Sequence, residues 1–521
     1  MQPAYTTFHF DNARTGWNDR ETLLTQARLR DFHQVARYEL DGEVDAQPLF
    51  YNGTAFAVTD NDTLYAVSPV RGVLWKRHFG TAVGAAYAGQ CRATAPSIGI
   101  QSTPVIDPAS GTIYLVAYTI EHGKPAYRLH ALSAASGAER RSTDISAAAG
   151  DTFVHRQRAG LLESGGTIYI AFAGFCDHHA STTYGRILAY SARDLTFRAG
   201  FVTTPSPLCV DVHMGTIWSM GFAPAADARG NVYFATGNGC IDYARVPNGA
   251  YSDAVLRLTP QLRLTDGHSA LFAPCSAVED NRHDQEMGAG GVVFTADRRF
   301  LIAGGKNGMT YVLDPANLGG FHTPCPDRVP FEAPTNWGLW GGPVVFKSGG
   351  RQFVTIAGTG PQGIRTYEFD RGSARMTLRT QTGEQLLNGG ESTVVTSDAA
   401  GSRKSLLLWA LTRPTTGTMF LRAYDPLDLR RRLLDVPAGY WGNSGGYAAV
   451  QPTVVDGYVI VATYKQMTIW TVRAENPASP RRAWLYAALL ALAGAALALA
   501  ALALVMRIPP RPQGTRGRPR E

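Results

Sequence analysis

The sequence has 521 residues, 45% apolar and 17% charged, with 55 glycines, six cysteines and a formal net charge of +7. Low charge and abundant glycine exclude a disordered chain or a coiled coil, and six cysteines over this length exclude a disulfide-dense miniature. The charge is localised: seven arginines and Glu521 lie in the last 41 residues, leaving the first 480 near +1 with no basic stripe for nucleic acid.

The opening stretch MQPAYTTFHFDNARTGWNDRETLLT has no apolar run, so it is not a secretory signal. FHQVARYELDG, residues 32–42, reads as an outer β-strand without inner partners of its own. From residue 46 a unit recurs: a short entry strand, a "g-x-ø-Y-ø-a" strand, a "ø-x-A-ø-x" strand ending in a turn, and an outer strand. The first copy is AQPLFYNGTAFAVTDNDTLYAVSPVRGVLWKRHF and the last is QPTVVDGYVIVATYKQMTIWTV. Entry strands centre near residues 48, 104, 161, 225, 292, 343, 393 and 453, at steps of 50 to 67 residues. One four-stranded sheet cannot bury both faces. Stacking such sheets around an axis buries them, and closing the ring leaves only short edges. The pattern therefore predicts an all-β, eight-bladed β-propeller over residues 1–474, with seven blades as the alternative. The last copy ends three strands in, so 32–42 is expected to supply its outer strand.

Cys91, Cys176, Cys209, Cys240, Cys275 and Cys325 allow 15 pairings, and no CxxC is present. Cys176-Asp177-His178-His179 reads either as a metal cluster or as a polar loop. Gly442-Asn443-Ser444-Gly445-Gly446 matches G-x-S-x-G, but that motif needs a strand-to-helix elbow, and here it precedes a strand. After a linker at 475–482 comes AWLYAALLALAGAALALAALALVM, residues 483–506, 24 residues without a charge. At roughly 1.5 Å per residue it spans about 36 Å, enough to cross a hydrocarbon core of about 30 Å. Arginines flank both ends, Trp484 and Tyr486 suit an interface, and five arginines mark the tail 507–521. The expectation is a single-pass transmembrane helix, with the propeller outside the cytoplasm and its signal sequence absent from this chain; the alternative is a tail anchor with the propeller in the cytoplasm.

DNARTGWNDRETLLT, GEVDAQPLF, IGIQSTPVIDPASGTIYLVA, DARGNVYFATGNG and MGAGGVV together resemble the pyrroloquinoline-quinone-like repeat propellers, relatives of the quinoprotein alcohol dehydrogenases. The resemblance covers residues 5 to 472. It implies calcium and pyrroloquinoline quinone on the axis at one end of the ring. By that resemblance ATGNG places Asn238 as a calcium ligand and GKNGMTYVLD places Lys306 beside the quinone oxygens. HDQE places Asp284 or Glu286 as the base, and Asp177 stands where a calcium carboxylate is expected. The chain departs from the family in three respects. It has no adjacent cysteine pair, no glutamate before the matching Gly185-Arg186 turn, and no tryptophan assignable to stack on the quinone. The expected function is therefore a membrane-anchored, non-catalytic binding or scaffold module. Its partner would be an unidentified protein or small-molecule ligand on the propeller loops. The alternative is a quinone- and calcium-dependent dehydrogenase oxidising an alcohol or a sugar.

Overall fold

In the first repeat the second and third strands, TAFAVT and TLYAVS, are mostly apolar, and every residue of these two is buried. The fourth strand alternates, and in Gly72–His78 exposed and half-buried residues take turns. A sheet covered on both faces near an axis and wetted at its rim has this pattern. The computed structural model describes residues 4–88, 96–175, 179–335, 337–361, 363–386, 391–414, 416–442 and 450–474.

Among the described residues eight sheets of four or five strands form blades, eight rather than seven. Their innermost strands are Leu49–Tyr51, Val105–Asp107, Leu162–Ser164, Ala225–Ala226, Val293–Phe294, Val344–Ser348, Ser392–Thr396 and Thr453–Val455, defining blades 1 to 8 in chain order. Each expected entry position falls on, or within two residues of, its strand. His33–Glu39 pairs antiparallel with Gln466–Thr471 as the outer strand of blade 8, so the ring closes as expected. Apolar clusters lie between neighbouring blades. Trp409 of blade 7, fully buried, donates its indole N–H to Thr396 Oγ1 at 3.0 Å.

The segment before that outer strand has an unforeseen role. Residues 5–18 run around the inside of the ring and bond to the innermost strand of every blade in turn. Tyr5 exchanges two backbone bonds with Phe50 of blade 1, and Thr6 O accepts from Ile106 N of blade 2. Asn12 donates Nδ2 to Glu163 O of blade 3 at 2.7 Å and accepts at its carbonyl from Ala226 N of blade 4 at 2.7 Å. Ala13, Thr15 and Gly16 accept from Phe294, Val345 and Val395 of blades 5, 6 and 7. Asn18 Nδ2 donates to Val454 O of blade 8 at 2.8 Å. At its centre Arg14 is fully buried, donating Nε to Pro224 O at 2.9 Å and Nη1 to Phe8 O at 2.7 Å. Burial draws its guanidinium down to about 9 and the neighbouring His9 imidazole down to about 4, so His9 is neutral there.

Two disulfides are present among the described residues, Cys209–Cys240 and Cys275–Cys325. Cys91, Cys176 and Asp177 lie outside those residues, as do Asn443 to Gly446 of the G-x-S-x-G match. The segments 475–482, 483–506 and 507–521 lie outside them too. Among the described residues no helix is long and apolar enough to cross a membrane.

Candidate functional site

An antiparallel four-stranded blade puts two kinds of link at one end of the ring: the turn between its second and third strands, and the connection to the next blade. Asn238 and Lys306 occupy those turns in blades 4 and 5, and Asp284 and Glu286 lie in the connection between these blades. Trp218 and Trp340 come from the connections entering blades 4 and 6. Six residues from five stretches of chain thus meet at one end.

Lys306 Nζ is the hub. It lies 2.6 Å from Asp284 Oδ1 and 3.1 Å from Glu286 Oε1. It also sits over the indoles of Trp218 at 5.3 Å and Trp340 at 5.0 Å, two rings packed edge to face at 5.9 Å. Asn238 Nδ2 donates to Asp284 Oδ1 at 2.8 Å. The two carboxylates differ in setting: the Asp284 side chain is 67% exposed and that of Glu286 only 2%. Asp284 also holds a left-handed backbone, φ +55°, which aspartate tolerates better than most residues.

These settings separate the protonation states. Burial pushes the Glu286 carboxyl up to about 7; Lys306 pulls it down, but desolvation aided by the charge of Asp284 prevails. Partial burial also works upward on Asp284, yet its bonds with Lys306, Glu286 and Asn238 hold that carboxyl below its ordinary value. Burial would lower Lys306, but Glu286 and Asp284 keep its ammonium above the usual range. At neutral pH the site therefore carries a charged Lys306, an ionised Asp284 and a Glu286 poised between states. Beneath it Asp253 is fully buried and accepts from Met287 N at 2.6 Å, and burial drives its carboxyl well up.

A second polar group, mostly buried, lies at the same end on blades 1 to 3. Gln101 Nε2 donates to Asp45 Oδ2 at 2.9 Å and Asp60 Oδ2 at 3.3 Å, while Arg156 Nε donates to Gln101 Oε1 at 2.6 Å. Asp45 belongs to the GEVDAQPLF motif, which sequence reading used only as a resemblance.

The structure thus brings together Asn238, Asp284, Glu286 and Lys306, and Asp177 lies outside the described residues. Among the described residues no three His, Cys, Asp or Glu side chains are arranged to hold a metal. Two buried acceptors are nonetheless left without partners, Asn238 Oδ1 and Glu286 Oε2. Trp218 and Trp340, which the sequence did not single out, flank Lys306. Both lie in inter-blade connections, where no repeat period marks them; the only signal was Trp218 preceding the ATGNG strand.

No protein-family model matches this sequence, and no curated protein matches it. Solved structures match in fold. The quinohemoprotein alcohol dehydrogenase of Comamonas testosteroni superposes with a TM-score of 0.62 at 16% identity, covering 91% of this chain and 82% of that one. Quinohemoprotein alcohol dehydrogenase ADHIIG of Pseudomonas putida gives 0.63 at 14% identity, covering 91% and 81%. A europium-containing methanol dehydrogenase gives 0.60 at 11% identity, covering 90% and 98%. The chain has the eight-bladed propeller fold of the quinoprotein dehydrogenases, and the resemblance read from its motifs holds at that level. At these identities the likeness is one of fold, and function rests on the site itself.

Proposed function

We propose that this end of the ring binds pyrroloquinoline quinone with calcium and oxidises an alcohol or a sugar. The observation that carries the reading is the convergence of Asn238, Asp284 and Lys306 around two indole faces. The residues present fit such a group. Asn238 Oδ1 and Glu286 Oε2 are buried acceptors without partners, the type of oxygen that a hard cation takes as a ligand. Lys306 is a charged donor for an anionic quinone oxygen, and Trp218 and Trp340 offer flat surfaces to a planar ring. Asp284 is ionised and faces solvent, so it is the residue to take the proton of a substrate hydroxyl. When bound, the quinone supplies a two-electron acceptor whose carbonyl the cation polarises.

The test is to add quinone and calcium to the purified chain, measure binding, and follow dye-linked oxidation of alcohols and sugars. Tight binding with turnover that Lys306→Ala abolishes supports the reading. No binding at micromolar quinone refutes it.

A second reading keeps the propeller as a non-catalytic binding module tethered through 483–506. It is favoured by the lack, among the described residues, of a three-ligand metal group, and by a Lys306 charge already matched by two carboxylates. Both readings place the propeller outside the cytoplasm, where Cys209–Cys240 and Cys275–Cys325 would persist. Fractionation of the full chain against one ending at residue 474 tests the tether. Release of the shorter chain into the soluble fraction is the expected outcome.

A further inference from the structure

The turns that carry Asn238 and Lys306 are both gripped by one short helix, Ala277–Arg282. Asn281 pairs with Gly239, the residue after Asn238, through both backbone groups. Its Oδ1 accepts from Gly239 N at 2.7 Å and its Nδ2 donates to Gly239 O at 3.0 Å. The neighbouring Asp280 grips the other turn. Its Oδ2 accepts from Nδ2 of Asn307, the residue after Lys306, at 2.8 Å, and is itself fixed by Ser276 Oγ at 2.7 Å. Cys275, just before the helix, is tied to Cys325. The chain leaving the helix reaches Asp284 and then Glu286, whose carbonyl accepts from Lys306 N at 3.1 Å.

Backbone packing tightens the same assembly. A Cβ on Gly288 would lie 2.4 Å from Gly237 Cα, and one on Gly305 would lie 2.5 Å from Glu286 O. The chain from 277 to 288 is therefore wedged between the Asn238 and Lys306 turns, touching each at side chain and backbone. Side chains on turns of separate blades can act together only if those turns keep a fixed spacing. Sites that need it within a fraction of an ångström use a surrounding shell to hold it.

We propose that Asp280 and Asn281 are positioning residues: together they set the spacing of Asn238, Asp284 and Lys306, so the site is assembled by this helix and not by the two blades alone. The ligand-affinity arm of its test rests on the quinone reading; the spectroscopic arm does not.

The full chain is labelled with 5-fluorotryptophan, and the fluorine resonances of Trp218 and Trp340 are assigned with Trp218→Phe and Trp340→Phe. Both rings lie about 5 Å from Lys306 Nζ, so they report its position. Asn281→Ala and Asp280→Ala are expected to shift both resonances and to weaken quinone binding in calcium about 10- to 100-fold. Asp280→Asn, which keeps an oxygen for Asn307, is expected to restore both. Asn281→Asp keeps acceptance from Gly239 N, serves where the alanine variant fails to fold, and is expected to shift the same resonances less. Unchanged resonances in both alanine variants overturn the proposal, and so does an Asp280→Asn spectrum no closer to wild type than that of Asp280→Ala. If the wild type binds no quinone while the resonances shift as expected, the quinone reading fails and the positioning role stands.

Discussion

Replacing Glu286 by glutamine should abolish a defined part of the pH dependence of stability. In the folded chain burial raises its carboxyl from an ordinary 4.5 to about 7. A raised acid binds its proton more tightly folded than unfolded. Its stabilising contribution is thus full below about pH 4.5 and is lost as pH rises through about 7. The shift is about 2.5 units, and at about 1.36 kcal/mol per unit the loss amounts to about 3 kcal/mol. Glu391 and Asp327 are also raised to about 7, chiefly by burial, so the wild-type curve alone cannot isolate Glu286. The difference between wild type and Glu286→Gln does isolate it. Urea unfolding followed by circular dichroism, in EDTA at half-unit steps from pH 4.5 to 8, supplies both curves. The wild type should lose about 3 kcal/mol relative to the variant across that range, most of it between pH 5 and 7. A difference that stays flat, or that grows in favour of the wild type with rising pH, would refute the assignment of Glu286 as a buried, proton-holding group.

Three further outcomes can be checked by denaturation. Trp409→Ala should cost about 3–5 kcal/mol, because it empties a fully buried site between blades. Gly305→Ala forces a Cβ against Glu286 O at 2.5 Å; it should cost about 1–3 kcal/mol and shift the tryptophan signals at the site. Asn18→Ala leaves the buried Val454 carbonyl without its donor and should cost about 1–3 kcal/mol, read as a lower urea midpoint at unchanged slope.

The ring was legible in the sequence because its information is periodic. Each blade repeats one apolar core pattern, so the entry near residue 453 lands on Thr453–Val455 and the orphan strand at 32–42 lands on His33–Glu39. The site was legible where it sits in glycine-bracketed turns that follow a repeat strand, as with Asn238 and Lys306. In the inter-blade connections only Asp284 and Glu286 were legible, through the HDQE resemblance, and the other residues were hidden. Trp218, Trp340, Asp280 and Asn281 belong to stretches of irregular length, and only the folded ring brings them beside Lys306. The role of residues 5–18 was hidden for a related reason. Their partners are backbone groups of eight separate strands, which leave no side-chain pattern to read.

That inner lace also bears on how the chain reaches its native state. Residues 5–18 are made before every strand they bind, and their last partner, Val454, lies 436 positions after Asn18. The outer strand at 33–39 likewise waits for Gln466–Thr471. The segment therefore cannot complete its bonds until the final blade exists, and contacts of such separation form slowly. Chains stopped short of blade 8 would display an unpaired strand and an unsatisfied lace, surfaces that invite association with other chains. Only when the last blade is complete can the strand at 33–39 and the lace at 5–18 both be fully paired.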